Sequence, residues 1–546
     1  MTSVGGIERV PESGFTVPAG ALAWAAVAAA FVLLRLAFLW TAPVGGFELA
    51  GLSGAWQASI GESDARFVPT LFQALSAGLL HLSSSETPVR LVALVSTCTI
   101  PGAIYLLRPR LGEAGALLTL LLLTVDPPGI ALGTSGSAMG LDLALTVWLF
   151  VAFSREDLPT WIWGVGAFAI ATSGPLSLPL IAAITVVSLL KQRHPSGHQA
   201  IALATGAALG VAVASFRFGL GWEGLRVPPF VLFNAGFERA WSSATALELS
   251  LLYSLPILAA GLAAAGVLAY RSYRANAASF ETVVLLAWAL LAFIWLAVSS
   301  QSQNPVPLVA LSVPLSLLAG PALAEAVAAN SRADWQYARF LVPAAIFAAA
   351  LAFAQSLSWA RADKVGSSSE KVLVAGLLVM AFSALGYVAA NRRALPTLLI
   401  PTFVLALFPL IAGTFGVAFS SPHEPLPSPS SPSQARELRE IALESVAAKG
   451  GLLVVHPSLE DAITWSFRDS GTLLIASRVP PNAAILIWPA NATRPEGFNP
   501  LPGPWNLLQS PAAPVGSPLK YLRWFTNRNS LDISSTTASV YVREKQ

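Results

Sequence analysis

The chain has few charges and almost no cysteine. Charged residues make up 11% of its 546 residues, whereas soluble domains carry about 25%. The one cysteine, Cys98, excludes an internal disulfide, so cysteine usage indicates no redox compartment. The formal net charge is only +3. No cluster of Lys or Arg is interleaved with aromatic residues as in a nucleic-acid-binding groove, so no nucleic acid partner is expected.

Long apolar runs dominate the sequence instead, and hydrophobic residues account for 55% of it. About 20 apolar residues cross the hydrocarbon core as a helix, because lipid offers no partner for an open backbone. We predict about thirteen spans, give or take two. They lie near residues 21–42, 88–108, 114–132, 137–154, 158–173, 175–190, 199–216, 248–270, 280–299, 305–328, 340–359, 372–390 and 395–419. Asp126-Pro127-Pro128 interrupts the third run, and the fifth and sixth are short.

Basic residues fall on alternate connections and predict the orientation. Short loops rich in Lys and Arg face the cytoplasm. With a cytoplasmic N-terminus, every inside connection carries such residues, and the opposite connections 173–174 and 300–304 carry none. The inside set is Arg108, Arg110, Arg155, Lys191, Arg193, Arg271, Arg274, Arg332, Arg339, Arg392 and Arg393. The chain is therefore predicted to be a multi-pass protein of the plasma membrane with its C-terminal tail outside.

The predicted fold is an all-α polytopic membrane bundle with a small C-terminal extracytoplasmic α/β domain. Residues 1–19 form a cytoplasmic tail and 20–419 the transmembrane domain. Its outer loop 43–87 contains two amphipathic stretches, 47–60 and 67–82, which predict interfacial helices. A Ser- and Pro-rich linker, 420–434, precedes the soluble domain 435–546. In that domain we predict a helix over 435–449, strands over 451–456, 472–476 and 484–488, a helix from Ser458 through Phe467, and a terminal hairpin over 521–542.

Ionisable residues at membrane depth are costly and therefore informative. Arg35, Glu48, Asp126 and Asp142 lie within or just beside predicted spans. Each also has a structural interpretation: Asp142 as a cap or inter-helix hydrogen bond, Asp126 as a turn residue before two prolines, and Arg35 as a residue that snorkels or pairs inside the bundle. The five histidines show no metal-ligand spacing on one helix face, so no metal ligands are predicted.

Several short motifs together resemble the GT-C superfamily of polyprenyl-phosphate-sugar-dependent glycosyltransferases, of the protein O-mannosyltransferase and lipid A aminoarabinose transferase type. The resemblance covers nearly the whole chain. It rests on Leu33-Leu-Arg35-Leu-Ala-Phe-Leu-Trp40, Gly46-Phe47-Glu48, Ala55-Trp56, Arg66-Phe-Val-Pro69, Pro88-Val-Arg90, Gly136-Ser-Ala-Met-Gly-Leu-Asp142, Ile463-Thr-Trp-Ser-Phe-Arg468 and Tyr521-Leu-Arg-Trp-Phe-Thr-Asn-Arg528.

The resemblance implies an inverting transfer in which a carboxylate removes the proton of the acceptor hydroxyl. Glu48 is the implied base, with Asp64 of the same loop as an alternative and Asp142 as a further site carboxylate. Arg66, Arg217, Arg226 or Arg239 would hold the donor phosphate, and a divalent metal is another way to stabilise it. The sequence departs from the family pattern at two places: Phe47 replaces the Asp of an acidic pair, and the Arg usual before the fourth-span Asp is replaced around Gly136.

Three functions follow from these observations. The first is a membrane glycosyltransferase that uses a polyprenyl-phosphate sugar and a protein, lipid or glycan acceptor on the outer face. The second is a GT-C-fold protein that has lost catalysis and serves as a binding or assembly partner in envelope glycan export. The third is a transporter, which would show two related halves with broken spans at matching places. No such repeat is present in the sequence, and no Walker lysine motif supports ATP-driven transport.

The topology can be tested by labelling single cysteines placed at Ser470 and His194. We expect a membrane-impermeant reagent to reach position 470 from outside and position 194 only after the membrane is opened, because the basic loops face the cytoplasm. A cytoplasmic tail would overturn both the span count and the family resemblance.

Overall fold

A computed structural model describes most of the first 331 residues and most of the C-terminal domain. The described ranges are 19–41, 46–59, 70–83, 85–155, 159–173, 176–190, 197–217, 253–275, 279–299, 306–331, the single residues 414 and 417, and 433–459, 463, 465–467, 473–511 and 533–543.

Helices form the whole described part of the predicted membrane domain. In chain order they are α1 (Ala19–Thr41), α2 (Gly46–Ser59), α3 (Thr70–Leu80), α4 (Thr87–Thr97), α5 (Ile100–Leu106), α6 (Arg108–Leu111), α7 (Glu113–Thr124), α8 (Pro127–Thr134), α9 (Met139–Ser154), α10 (Thr160–Ser173), α11 (Leu178–Leu190), α12 (Gly197–Arg217), α13 (Leu255–Ala275), α14 (Phe280–Ser299) and α15 (Val306–Ser331). The stretches 47–60 and 67–82, predicted to be helical, are thus α2 and α3; their position at the outer interface remains a prediction.

The predicted count of about thirteen spans is not confirmed. Among the described residues, three helices are long and apolar enough to cross a membrane: Ala19–Leu39, Thr87–Leu106 and Leu308–Ala328. Other predicted spans form apolar helices that are shorter than the ~20 residues a crossing needs, such as α9 and α11. The predicted spans 340–359, 372–390 and 395–419 lie outside the described residues, apart from Thr414 and Val417.

The predicted span 114–132 is a broken helix. Its halves, α7 and α8, are bent by 68° at Asp126. Asp126 has an extended backbone (φ −88°, ψ 102°) and precedes two prolines. A residue before proline is pushed out of the helical region, and proline offers no N–H to continue the ladder, which accounts for the break. Counted together, the bent pair would be a fourth span, and every residue of α8 is buried.

The basic connections collect at one end of the bundle. Arg110 forms an ion pair with Glu281 at 3.5 Å, and Arg271 pairs with Glu325 at 2.8 Å. Gly20, at the start of α1, lies beside Glu113, which follows the basic α6. Because α1 runs away from this end for 23 residues, its last turn lies at the opposite end. Which end faces the cytoplasm remains a prediction.

The soluble domain is a mixed sheet with one helix against it. Helix α16 (Ser433–Lys449) precedes β1 (Leu452–Val455), β2 (Leu473–Ile475), β3 (Ala483–Pro489), β4 (Phe498–Pro500), β5 (Trp505–Pro511) and β6 (Ile533–Arg543). The strand order is β2-β1-β3-β6-β4, with β5 also on β6. Strands β1, β2 and β3 are parallel, and β6 is antiparallel to its neighbours. The predicted helix over 435–449 and the first three strands are confirmed.

Two further predictions in this domain fare differently. The second strand of the predicted terminal hairpin is β6, which pairs with β3 on one edge and with β5 and β4 on the other. The residues of the predicted first strand, 521–532, lie outside the described part. Of the predicted helix from Ser458, the structure describes a 3-10 turn at Pro457–Leu459 and a turn closed by the Phe467 N–H to the Ile463 carbonyl. Its other residues lie outside the described part.

The core of the bundle depends on close contact between α7 and α15. A side chain at Gly320 would overlap Thr119 Oγ1 and the Gly115 carbonyl. We therefore expect Gly320→Ala to force the two helices apart and to lower stability by about 1–3 kcal/mol, read as a lower Tm of the purified protein in detergent. Gly266→Ala on α13 is the matched control, because nothing lies within 4 Å of its added methyl. Equal Tm values for the two variants would contradict this packing.

Candidate functional site

Glu48 and Arg90 form a buried ion pair. Glu48 lies in the first turn of α2 and Arg90 in the first turn of α4. Arg90 Nη2 donates to Glu48 Oε1 at 2.5 Å and Arg90 Nε donates to Glu48 Oε2 at 3.2 Å. The carboxylate and the guanidinium thus face each other side by side, the two-point geometry that gives the strongest hydrogen bonds between these groups. Glu48 is 1% exposed and Arg90 is 2% exposed.

A backbone amide completes the group around the carboxylate. The Gly136 N–H, in the loop between α8 and α9, donates to Glu48 Oε2 at 2.5 Å. The loop comes this close because two glycines meet there: a Cβ at Gly51 of α2 would overlap the Gly136 carbonyl, and a Cβ at Gly136 would lie 2.7 Å from Leu52 Cδ2. The absence of side chains at Gly51 and Gly136 therefore lets the Gly136 backbone N–H reach the carboxylate.

The guanidinium has a partner on a fourth segment. Arg90 Nη1 donates to the carbonyl of Leu39, in the last turns of α1, at 3.5 Å. The pair therefore ties the end of α1 to α2, α4 and the α8–α9 loop, at the end of the bundle opposite the basic connections. Because both charges are buried, loss of either partner leaves an uncompensated charge, which costs about 3–5 kcal/mol.

Asp142 has a different environment. It lies in the first turn of α9, is 1% exposed, and accepts the backbone N–H of Leu176 at 2.7 Å through Oδ2. Leu176 lies two residues before α11, so the carboxylate binds the segment that leads into that helix. This contact is of the kind that the structural interpretation of Asp142 predicted, a cap or an inter-helix hydrogen bond.

The other predicted site residues lie outside the described part of the chain. Asp64 and Arg66 fall within 60–69, and Arg226 and Arg239 within 218–252. Arg217 is the last residue of α12, but its side chain is not among those described. The four arginines therefore remain predictions as phosphate ligands, and Asp64 remains a prediction as a base. No group of three or more His, Cys, Asp or Glu in the described ranges could hold a metal ion.

A second polar cluster lies deeper in the bundle. Asp126, at the break between α7 and α8, accepts hydrogen bonds from Ser254 at 3.2 Å and from Ser312 at 2.9 Å. Arg35 of α1 donates to the Phe31 and Gly129 carbonyls. Arg35 and Asp126 line one cavity of about 10 Å³, which is room for about one water molecule. Both residues thus hold helices together around the bend, and they do not join the Glu48 group.

Sequence reasoning missed Arg90 and the Gly136 amide as members of the site. A signal for Arg90 was present: it stands at the start of the second predicted span, directly after the outer loop that carries Glu48. An arginine at that depth needs an acidic partner, and the loop offers Glu48 and Glu86 near its two ends, between which the sequence alone does not choose. The Gly136 amide has no such signal, because a backbone N–H is present at nearly every position.

The geometry can be compared with known proteins. No family model and no curated protein matches the sequence. Among solved structures, the chain is similar to ArnT from Cupriavidus metallidurans bound to undecaprenyl phosphate, at 15% identity and a TM-score of 0.51, over 86% of this chain and 93% of that chain. The apo state of the same protein gives 16% identity and a TM-score of 0.52, over 87% and 94%.

The chain has the ArnT fold. At this identity the likeness is one of fold alone, but it extends over nearly the full length of both chains. It supports the architecture predicted from the sequence, a helical membrane protein with a small C-terminal sheet. The similarity to ArnT does not test the resemblance to protein O-mannosyltransferases, which remains a prediction from the sequence.

The structural role of Asp142 generates a test. Asp142→Asn keeps an oxygen for the Leu176 N–H, so we expect nearly unchanged thermal stability. Asp142→Leu leaves that buried N–H without its acceptor and should cost about 1–3 kcal/mol. Thermal unfolding of the purified variants measures both. A folded Asn variant that has lost all activity would return Asp142 to the active site.

Proposed function

We propose that this protein is a membrane glycosyltransferase that moves a sugar from a polyprenyl-phosphate donor to a hydroxyl acceptor on the outer face of the membrane. The carrying observation is the buried group of Glu48, Arg90 and the Gly136 N–H in a chain with the ArnT fold. ArnT has been solved bound to undecaprenyl phosphate, which supports a lipid phosphate as the donor carrier here.

The proposed chemistry is an inverting displacement with Glu48 as general base. The Glu48 carboxylate takes the proton of the acceptor hydroxyl, the hydroxyl oxygen bonds to the anomeric carbon, and the bond from that carbon to the phosphate oxygen breaks. The electron pair of the broken bond leaves with the polyprenyl phosphate. The Arg90 guanidinium lies at hydrogen-bond distance from this carboxylate and carries the opposite charge.

Arg90 and Gly136 also orient the carboxylate. With Oε1 facing Arg90 and Oε2 shared between Arg90 and the Gly136 N–H, the plane of the carboxylate is fixed before substrate arrives. Preset orientation of a reacting group removes an entropic part of the barrier.

We assign the leaving phosphate to the predicted cationic set, Arg66, Arg217, Arg226 and Arg239, since Arg90 is occupied by Glu48. Asp64 is the alternative base.

The direct test is transfer by Glu48→Gln from a polyprenyl-phosphate sugar. Gln keeps the shape of Glu but takes no proton, so we expect the rate to fall by about 100-fold or more. Glu325→Gln is the matched control: it removes one carboxylate of an ion pair at the other end of the bundle, where the partners are 60% and 57% exposed. This control should keep wild-type activity, since exposed ion pairs contribute little.

A second variant separates catalysis from folding. Glu48→Gln alone leaves Arg90 buried without its counter-charge, whereas Glu48→Gln combined with Arg90→Gln removes both charges. We expect the double variant to regain stability and to stay inactive. Undiminished turnover of Glu48→Gln would remove Glu48 from the role of base. Absence of turnover by the wild type with every donor tried would favour the binding or assembly role.

A further inference from the structure

A tryptophan of the C-terminal domain is buried away from that domain's own core. Ile463 and Phe467, four residues apart, belong to the core formed by α16 and the sheet, and the Phe467 N–H donates to the Ile463 carbonyl. Trp465 lies between them and belongs to a different buried cluster, with 4% of its surface exposed. One turn thus presents two side chains to the soluble domain and a third to the membrane domain.

The cluster that receives Trp465 shares α2, α4 and the α8–α9 connection with the Glu48 group and adds α3 and the start of α9. We call this surface the platform. It consists of Leu52 and Ala55 of α2, Phe72 and Leu80 of α3, Val89 and Val92 of α4, and Ala138 and Leu141 at the start of α9. The C-terminal domain therefore meets the membrane domain at the same place where the ion pair is assembled.

The platform and the ion pair are also adjacent along each element. On α2, Leu52 and Ala55 follow Glu48 by four and seven residues, which puts all three on one face of the helix. On α4, Val89 precedes Arg90 directly. In the α8–α9 connection, Ala138 comes two residues after Gly136. A displacement of the platform would therefore also displace the backbone that carries the three members of the Glu48 group.

A buried tryptophan is suited to join two folded units. It covers about 150–250 Å² of apolar surface and loses few rotamers, which explains why Trp is enriched at the centres of protein interfaces. The platform elements α2 and α3 are only 14 and 11 residues long. Helices of this length are marginal by themselves and take their stability from packing.

We propose that the C-terminal domain docks through Trp465 onto the platform, and that this docking holds Glu48, Arg90 and the Gly136 N–H together. Trp465 is then a positioning residue that acts through α2 and α4. The C-terminal domain is, on this assignment, a structural part of the active site. The catalytic half of the proposal rests on the proposed function, whereas the docking itself does not.

Hydrogen–deuterium exchange of the full-length protein in lipid nanodiscs tests the docking without any substrate. Trp465→Ala should raise the exchange of α2 and of the first turns of α4, while β1, β3 and β6 keep their protection. Trp465→Phe, which refills most of the space, should restore much of the protection in α2. Trp488→Phe is the matched control, because Trp488 packs inside the same domain against His456, at a ring distance of 4.8 Å, and should leave α2 unchanged.

A substitution in the platform separates undocking of the C-terminal domain from its unfolding. Leu80→Asn alters α3, which carries no member of the Glu48 group, and should raise exchange at residues 463–467 with the sheet still protected. Wild-type protection of α2 in Trp465→Ala would overturn the proposal. Loss of sheet protection in both Trp465→Ala and Leu80→Asn would do so as well, because it would mean unfolding instead of undocking.

Activity provides the second readout. If Trp465 positions the base, Trp465→Ala should lower kcat by about 10- to 100-fold with a smaller change in KM, since a displacement of about 1 Å can cost 100-fold. Trp465→Phe should recover most of the loss. If α2 exchanges faster in Trp465→Ala while kcat keeps its wild-type value, Trp465 has no positioning role. Only the domain interface would then stand. If the wild type transfers no sugar, the proposed function fails, but the exchange experiment still decides the docking.

Discussion

The cost of burying charge determines how the end of the bundle that carries Glu48 is organised. Glu48 and Arg90 are almost fully buried, and neither ion could stay there alone. The pair is acceptable because each charge meets its opposite and because the remaining polar atoms find partners, the Leu39 carbonyl for Arg90 and the Gly136 N–H for Glu48. Four segments separated in sequence must therefore come together before the pair is satisfied.

Close backbone approach makes that convergence possible. The α8–α9 loop reaches Glu48 only because Gly51 and Gly136 carry no side chains at the point of contact. The loop is carried by α8, whose direction is fixed at the Asp126 break by Ser254 and Ser312. The Asp126 cluster thus lies at the start of the short, buried helix α8, and the ion pair lies just beyond its end. The first sets where α8 begins, and the second uses the amide that follows its last turn.

Local sequence signals predicted the elements better than their pairing. The periodicity of 47–60 and 67–82 predicted α2 and α3, and the apolar run 280–299 coincides with α14. The Asp126-Pro127-Pro128 interruption marked the break, because proline acts on its immediate neighbours. The Glu48–Arg90 contact spans 42 residues and depends on the paths of α1, α2 and α4 together. The partners of β6 were missed for the same reason: its pairing with β3 joins distant segments whose register no local pattern specifies.

Buried ionisable residues in this bundle fall into two kinds, and the distinction bears on function. Asp126 accepts hydrogen bonds from two serine hydroxyls, Arg35 donates to the Phe31 and Gly129 carbonyls, and Asp142 accepts a backbone N–H. Glu48 is bound at two points by the guanidinium of Arg90, at the end where the C-terminal domain meets the bundle. A helix cap can be supplied by a neutral side chain, so a carboxylate is not required for that purpose. A carboxylate has a use that a neutral amide of the same shape does not supply: it can accept a proton. Burial alone does not separate Glu48 from Asp142, Asp126 and Arg35, because all four are fully buried. The two-point pairing of Glu48 with an arginine is the feature on which its proposed role rests.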